Sequence, residues 1–369
     1  MTKSNLYIDI NVLQTVPSSN INRDDTGSPK TALYGGVMRS RVSSQSWKRA
    51  MRNAFVHEDG LEIGFLTKKA NTLLESAMKN IDSVLSSEDI LFLSEKILEL
   101  LGSKPNDKKS ALLYISPVQI EHLAQYAIDN SDILLKELKK ANKGGKKVKD
   151  GISSSIMKDN TLDLALFGRM FASAPELNIN AAAQVAHAIS THEVVPEFDY
   201  FTALDDLKKD NESGAAMIGT NNFNSATLYR YANLNVNELV ANLDSETALQ
   251  VTRAFIKEFV LSMPTGKENS YANKTLPSYV MVTLRDDTPV NLVSAFENPV
   301  TPANGYMQKS ISRLEAEYSK LAGLVDQPIG NWVWGNDSEI GDNVTTKDDL
   351  LTKVTEKLSE VVPNENVND

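Results

Sequence analysis

An α+β fold built on a ferredoxin-like, RRM-like sheet follows from three features of the sequence. Short runs of alternating apolar residues recur, amphipathic helices stand between them, and a long helix-patterned block interrupts the series. Leu6, Ile8, Ile10 and Val12 alternate with Tyr7, Asp9 and Asn11, which predicts a half-buried first strand. A polar loop rich in turn residues follows at 18–30, and Gly35 and Gly36 break the chain again before Val42. Ser43 or Ser44 caps a helix that runs to about Phe55.

From about His57 to Asn180 the pattern is helical. Segments 67–81, 88–101 and 117–128 place apolar residues three and four apart. Lysines around Gly144 and Gly145 interrupt them and predict an exposed loop. Residues 184–192 read as a strand, because Val185, His187 and Ile189 alternate. A polar, irregular stretch extends to about Phe223. Thr227 to Leu234 then predicts a strand, Ser245 to Pro264 a helix, Tyr279 to Leu284 a strand, and Met307 to Leu324 a last helix. The acidic end after Val362 is expected to fray. Without the helical block and the polar stretch, the order is strand, helix, strand, strand, helix, strand, the split βαβ order.

Composition narrows the function classes. The 369 residues contain no cysteine, which excludes disulfides, thiolate catalysis and thiolate metal sites, and fits a reducing cytoplasm. No run reaches the roughly 18 apolar residues of a membrane helix, and no apolar leader opens the chain. Net charge is −10, an acidic balance that by itself argues against a nucleic-acid partner. Its distribution argues the other way. Residues 31–55 hold Arg39, Arg41, Lys48, Arg49 and Arg52 and no acid, and residues 136–149 hold seven lysines against Glu137. The acids gather elsewhere, as at Asp205, Asp206, Asp286 and Asp287. A basic track on an acidic body results.

The helix 43–55 carries the most specific pattern. At 100° per residue, Trp47, Ala50, Met51, Ala54 and Phe55 share one apolar arc. Gln45, Lys48 and Arg52 fall on an adjacent strip, between roughly 100° and 160° from Trp47. Such a helix buries one side and offers a cationic edge whose lysine and arginine suit phosphate oxygens. Its plainer reading is a solvated basic face. Arg23, Arg39 and Arg41 lie close enough in sequence to extend the track. Lys139, Lys140, Lys143, Lys146 and Lys147 are candidates for holding duplex DNA without sequence preference, or simply a charged, soluble loop. Tyr200, Phe201 and Thr202 could stack on bases, or form a small core under a loop. For catalysis, His187 and His192 are five apart, which suits no zinc pair on one helix face. Asp9, Asp24 and Asp25 could cluster around a divalent cation for a nuclease, although adjacent aspartates in a turn more often form that turn.

The stretches NINRDDTGSPK (20–30) and YGGVMRSRVSSQSWKRAMR (34–52) resemble the signature of the backbone subunit of the type I-E CRISPR Cascade complex, the CasC family. The likeness continues in FGRM (167–170), HAISTH (187–192), YFTALDD (200–206) and YRYAN (229–233). This resemblance implies a hand: a palm at 1–57, 181–192 and 225–369, a helical fingers insertion at 58–180, and an extended thumb at 193–224. It implies a non-enzymatic scaffold without cofactor or metal, which polymerises head to tail on crRNA and presents it in short segments to target DNA. Further copies of itself, the large, small and guide-end-binding Cascade subunits, and indirectly a recruited nuclease-helicase are the implied partners. RNA-backbone contacts are implied for Arg23, Ser43, Gln45, Lys48 and Arg52. Met170 is implied as the wedge beside a displaced nucleotide. Tyr200, Phe201, Thr202 and Ile218 are implied for the thumb, where some relatives carry tryptophan at the position of Tyr200.

Overall fold

The computed structural model describes residues 5–81, 85–103, 112–140, 146–171, 173–203 and 217–362. The chain forms two compact units, one of Met1–Ala54, Gln184–Val236 and Thr252–Asp369, the other of Phe55–Ala183 and Asn237–Val251. It begins with β1 (Tyr7–Ser19), β2 (Thr31–Tyr34), β3 (Val37–Val42) and α1 (Ser44–Phe55). There follow β4 (Phe65–Thr67), α2 (Ala70–Asn80), α3 (Ser87–Leu100), β5 (Leu113–Ile115), α4 (Pro117–Asp129), α5 (Ser131–Lys140), α6 (Lys146–Ser155) and α7 (Leu162–Phe167). The remainder holds β6 (Ala183–Val185), β7 (Ala188–Ser190), β8 (Glu197–Ala203), β9 (Met217–Asn235), α8 (Val236–Asn242) and α9 (Ser245–Leu261). It closes with α10 (Glu268–Tyr271), β10 (Tyr279–Arg285), α11 (Met307–Leu321), β11 (Gly330–Trp334), β12 (Asp342–Asn343) and α12 (Lys347–Val361).

The first unit is organised by a large, mostly antiparallel sheet in the order β12-β11-β10-β1-β9-β7-β3-β2, with β6 and β8 also on β9. β1 lies between β10 and β9, antiparallel to both. It is buried on both faces, not on one as its alternation predicts. The reason is chemical. Asp9 and Asn11 tolerate burial because the hydroxyls of Tyr231 and Tyr229 donate to them, each at 2.7 Å. Burial nevertheless pushes the Asp9 carboxyl up to about 6. That face carries a core of Leu13, Tyr279, Met281, Phe296, Ile311 and Leu314.

On the opposite face, Val12 pairs with Arg230 across the β1–β9 register, so the two point the same way. The Arg230 guanidinium is buried between the rings of Trp47 (3.9 Å) and Phe259 (4.8 Å). It donates to Gln14 Oε1 at 2.6 Å and to the Phe259 carbonyl. Burial pushes its pKa down to about 9. Helix α1 is seated here through Trp47 and Met51, both fully buried.

Three expectations change. Residues 184–192 form two short strands, β6 and β7, broken at Ala186 and His187. The described part of the polar stretch to Phe223 forms a two-stranded ribbon, with β8 pairing the first part of β9 from Glu197↔Phe223 to Ala203↔Met217. The lysine-rich stretch is helical on both flanks, where α5 and α6 bury Leu134, Leu138, Val148 and Ile152 at four-residue spacing beneath the charges, while the loop expected around Gly144 and Gly145 lies outside the described residues. Helices α5 and α6 join α2, α3 and α4 in one core, whose starts are capped by Ser86 and by a Ser116–Gln119 capping box. The C-terminal end after Val362 lies outside the described residues. Among those described, no helix is long and apolar enough to cross a membrane.

Candidate nucleic-acid interface

Loop 20–30 is fastened to the start of α1. Asn22 Oδ1 accepts from the Ser43 backbone N–H at 2.9 Å, and its carbonyl accepts from Lys30 N at 2.8 Å. The β2–β3 hairpin beside it turns at Gly35 and Gly36, both at positive φ. A Cβ on Gly35 would lie 1.6 Å from the Glu297 carbonyl oxygen, so only glycine fits that position. On this frame Arg23, Gln45 and Arg49 are exposed and Lys48 and Arg52 half-buried, as the helical rotation requires. Partial burial holds the Lys48 ammonium below the usual lysine range. Ser43 is buried and accepts from Ser46 N at 3.4 Å, so it acts at the helix start.

Arg41 is half-buried. Its Nε donates to the Thr31 carbonyl at 3.1 Å, and its Nη1 lies 3.3 Å from His187 Nδ1. Burial, then Arg41 and Lys30, hold the His187 imidazole below its ordinary pKa. Lys30 thus joins the cationic patch, and His187 borders it as an uncharged imidazole facing Arg41. Neither was singled out from sequence as a cationic contact, because their approach to Arg41 depends on strand pairing.

Arg39 is corrected. It is 0% exposed, and its guanidinium donates to four carbonyls: Phe296 (2.8 Å), Tyr34 (3.1 Å), Ser190 (3.1 Å) and Glu297 (3.2 Å). It ties the hairpin to the sheet with four of its five N–H donors, and its full burial keeps it from phosphate. Arg39→Met is expected to cost about 2–3 kcal/mol by orphaning those carbonyls. The salt dependence of RNA binding by the folded protein should not move, and a titration at several salt concentrations checks this.

On the ribbon, Tyr200 and Thr202 share one face with Ile218 by register, and Tyr200 and Ile218 are exposed. Phe201 faces the other way, its ring over Gly219, where an added Cβ would come 2.5 Å from it. The adjacent aromatics therefore do not act as a pair, since successive strand residues point to opposite faces.

In the second unit the FGRM stretch is a small device. Gly168 turns the chain at φ 77°, and Arg169 is buried with donors on the Leu177 carbonyl and Gln119 Oε1. Met170 is thereby held out, 84% exposed. An apolar side chain so presented can wedge between stacked groups.

Of the lysines, Lys139 is occupied by Asp89 at 2.9 Å and lies over the Phe92 ring. Lys146 and Lys147 are exposed at the start of α6. Lys143 and the side chain of Lys140 lie outside the described residues. The metal-nuclease reading loses its geometry. Asp9 is inside the sheet, and Asp24 Oδ1 accepts from Thr26 N, Thr26 Oγ1 and Ser28 N, closing its own turn. Among the described residues no three His, Cys, Asp or Glu side chains are grouped to hold a metal. His192 is buried, stacked on Tyr306 and accepting from Thr227 N, a structural role.

The family described as "CT1975-like protein" matches residues 8–362. A chain from a structure described as "CRISPR RNA-guided surveillance complex, pre-nicking" is similar at 30% identity and TM-score 0.82, over 95% of this chain and 99% of that one. A chain from another "CRISPR RNA-guided surveillance complex" is similar at 26% identity and TM-score 0.73, with the same coverage. A comparison with curated proteins gives no match. With its loop 20–30, cationic helix and FGRM turn inside a match that spans nearly the whole sequence, the chain belongs to the CT1975-like Cas protein family.

Proposed function

We propose that the chain is the crRNA-binding backbone subunit of a CRISPR Cascade surveillance complex, a scaffold and not an enzyme. The observation that carries this is the cationic edge of α1, Gln45, Lys48 and Arg52, anchored beside Arg23 by the Asn22–Ser43 bond. Contacts to phosphate carry no base information, so one subunit can coat any guide, and pairing with target DNA supplies sequence specificity. The strand order β10-β1-β9-β7, with α1 and α9 as the intervening helices, supports a ferredoxin-like palm. Residues 58–180 serve as fingers and 193–224 as a thumb, with Met170 and the exposed ribbon face of Tyr200, Thr202 and Ile218 displacing a nucleotide at intervals. Copies meet head to tail, a heterologous contact that gives an open filament whose length the RNA limits. Lys146 and Lys147 are suited to touching target duplex.

The test is the material that accompanies the purified assembly. Single-stranded RNA of uniform length is expected. An assembly free of RNA, or chelator-sensitive RNA cleavage abolished by Asp24→Ala, would overturn the scaffold reading.

A further inference from the structure

Residues 265–273, between α9 and β10, hold two non-glycine residues in the left-handed region. Lys267 (φ 51°) and Ala272 (φ 46°) bracket the one-turn helix α10. Such backbone is unfavourable for residues with side chains and concentrates where ligands are held. The turn is secured from three sides. Gly266 lies against the Ile21 backbone, where a Cβ would come 2.2 Å from the Ile21 carbonyl oxygen. The Tyr271 ring packs on Phe223 at 6.2 Å. Lys267 Nζ donates to Asn221 Oδ1 at 2.7 Å.

Those anchor points belong to two segments already given RNA contacts. Ile21 is in the loop of Arg23, and Asn221 is on β9 close to Ile218. The two segments are themselves cross-linked. Asn20 Nδ2 donates to the carbonyls of Gly27 (2.9 Å) and Asn222 (3.0 Å), and Asn222 Nδ2 donates to Ser28 Oγ (2.8 Å). The ammonium of Lys267 thus stands where loop 20–30 meets the foot of the ribbon. The contact that holds it is a neutral amide, which leaves its charge uncompensated by that bond.

We propose that Lys267 is a further phosphate-binding residue, placed by the strained turn to grip the guide strand between the Arg23 loop and the ribbon. This rests on the backbone-subunit reading. A lysine suits the position because a compact ammonium binds phosphate without a set geometry.

The experiment titrates a single-stranded RNA of guide length into the full-length protein, followed by fluorescence anisotropy at several salt concentrations. Lys267→Gly removes the charge and relieves the left-handed strain, Lys267→Asn removes the charge in a residue that tolerates such backbone, and Lys267→Arg keeps the charge. The two neutral variants are expected to melt no lower than the parent. They should bind about 5-fold more weakly at low salt, and their salt slope should fall by about 0.7, one single-strand phosphate. Lys267→Arg should keep the parental slope. Neutral variants with parental affinity and slope overturn the proposal while leaving the scaffold reading intact, and so does equal weakening in all three variants with a lowered melting point. A parent that ignores RNA overturns both.

Discussion

Replacing Lys48 and Arg52 together with alanine is expected to weaken RNA binding about 100-fold at low salt, equivalent to about 2.7 kcal/mol. Both side chains lie on the strip adjacent to the buried Trp47 arc of α1, so truncating them should leave the core of the helix untouched. Each phosphate contact on a single strand contributes about 0.7 to the slope of log affinity against log salt. The double variant should therefore lose about 1.4 from that slope. The loss should be the same for guides of unrelated sequence, because phosphates are common to all of them. Lys48→Arg combined with Arg52→Lys should retain most of the slope. An unchanged slope in the alanine variant would remove the cationic edge from the interface. There is also a pH signature. Partial burial lowers the Lys48 pKa, so the parent should begin to lose affinity at a lower alkaline pH than an ordinary lysine contact would. The alanine variant should lack that early component.

Trp47→Ala is expected to destabilise the first unit by about 3–5 kcal/mol, a fall of about 10 °C in melting temperature. Trp47 is 1% exposed, and its ring covers the Arg230 guanidinium at 3.9 Å. The substitution opens a cavity beneath α1 and removes a desolvated cation–π contact of about 2 kcal/mol. Arg230 then has less to offset its burial, which already depresses its pKa to about 9. Trp47→Phe keeps a ring over Arg230 and should show less than half the loss. Calorimetry reads both variants. A cost for Trp47→Ala below about 1 kcal/mol would mean that α1 is held elsewhere. Below the melting transition the salt slope should stay parental, because the cationic strip keeps its charges.

Much of this was legible locally. Helix α1 and its faces follow from 3.6-residue periodicity, since a helix closes its own hydrogen bonds and its pattern needs no distant partner. The same holds for α2, α3 and α4. Helix α12 was not expected from the sequence, whose last predicted helix ends at Leu324; its buried Leu350, Leu351, Val354 and Leu358 stand at helical spacing among charges. The ribbon escaped notice because β8 buries almost nothing: its residues are exposed along nearly their whole length, so no alternation marks it.

Sequence by itself determined helices α1 to α4, α9 and α11, the cationic strip, the acidic body and the absence of thiol chemistry, because each rests on residue identity and short-range spacing. The tertiary structure alone decided the roles of its arginines. Arg39 and Arg41 are two apart on β3 and share a face, yet Arg39 is consumed by carbonyls that include Phe296, 257 residues away, while Arg41 remains at the surface beside His187. It likewise set Lys267 at the meeting point of two remote segments. A guanidinium or ammonium takes its role from whichever acceptors surround it, and chain neighbours do not specify which distant backbone arrives.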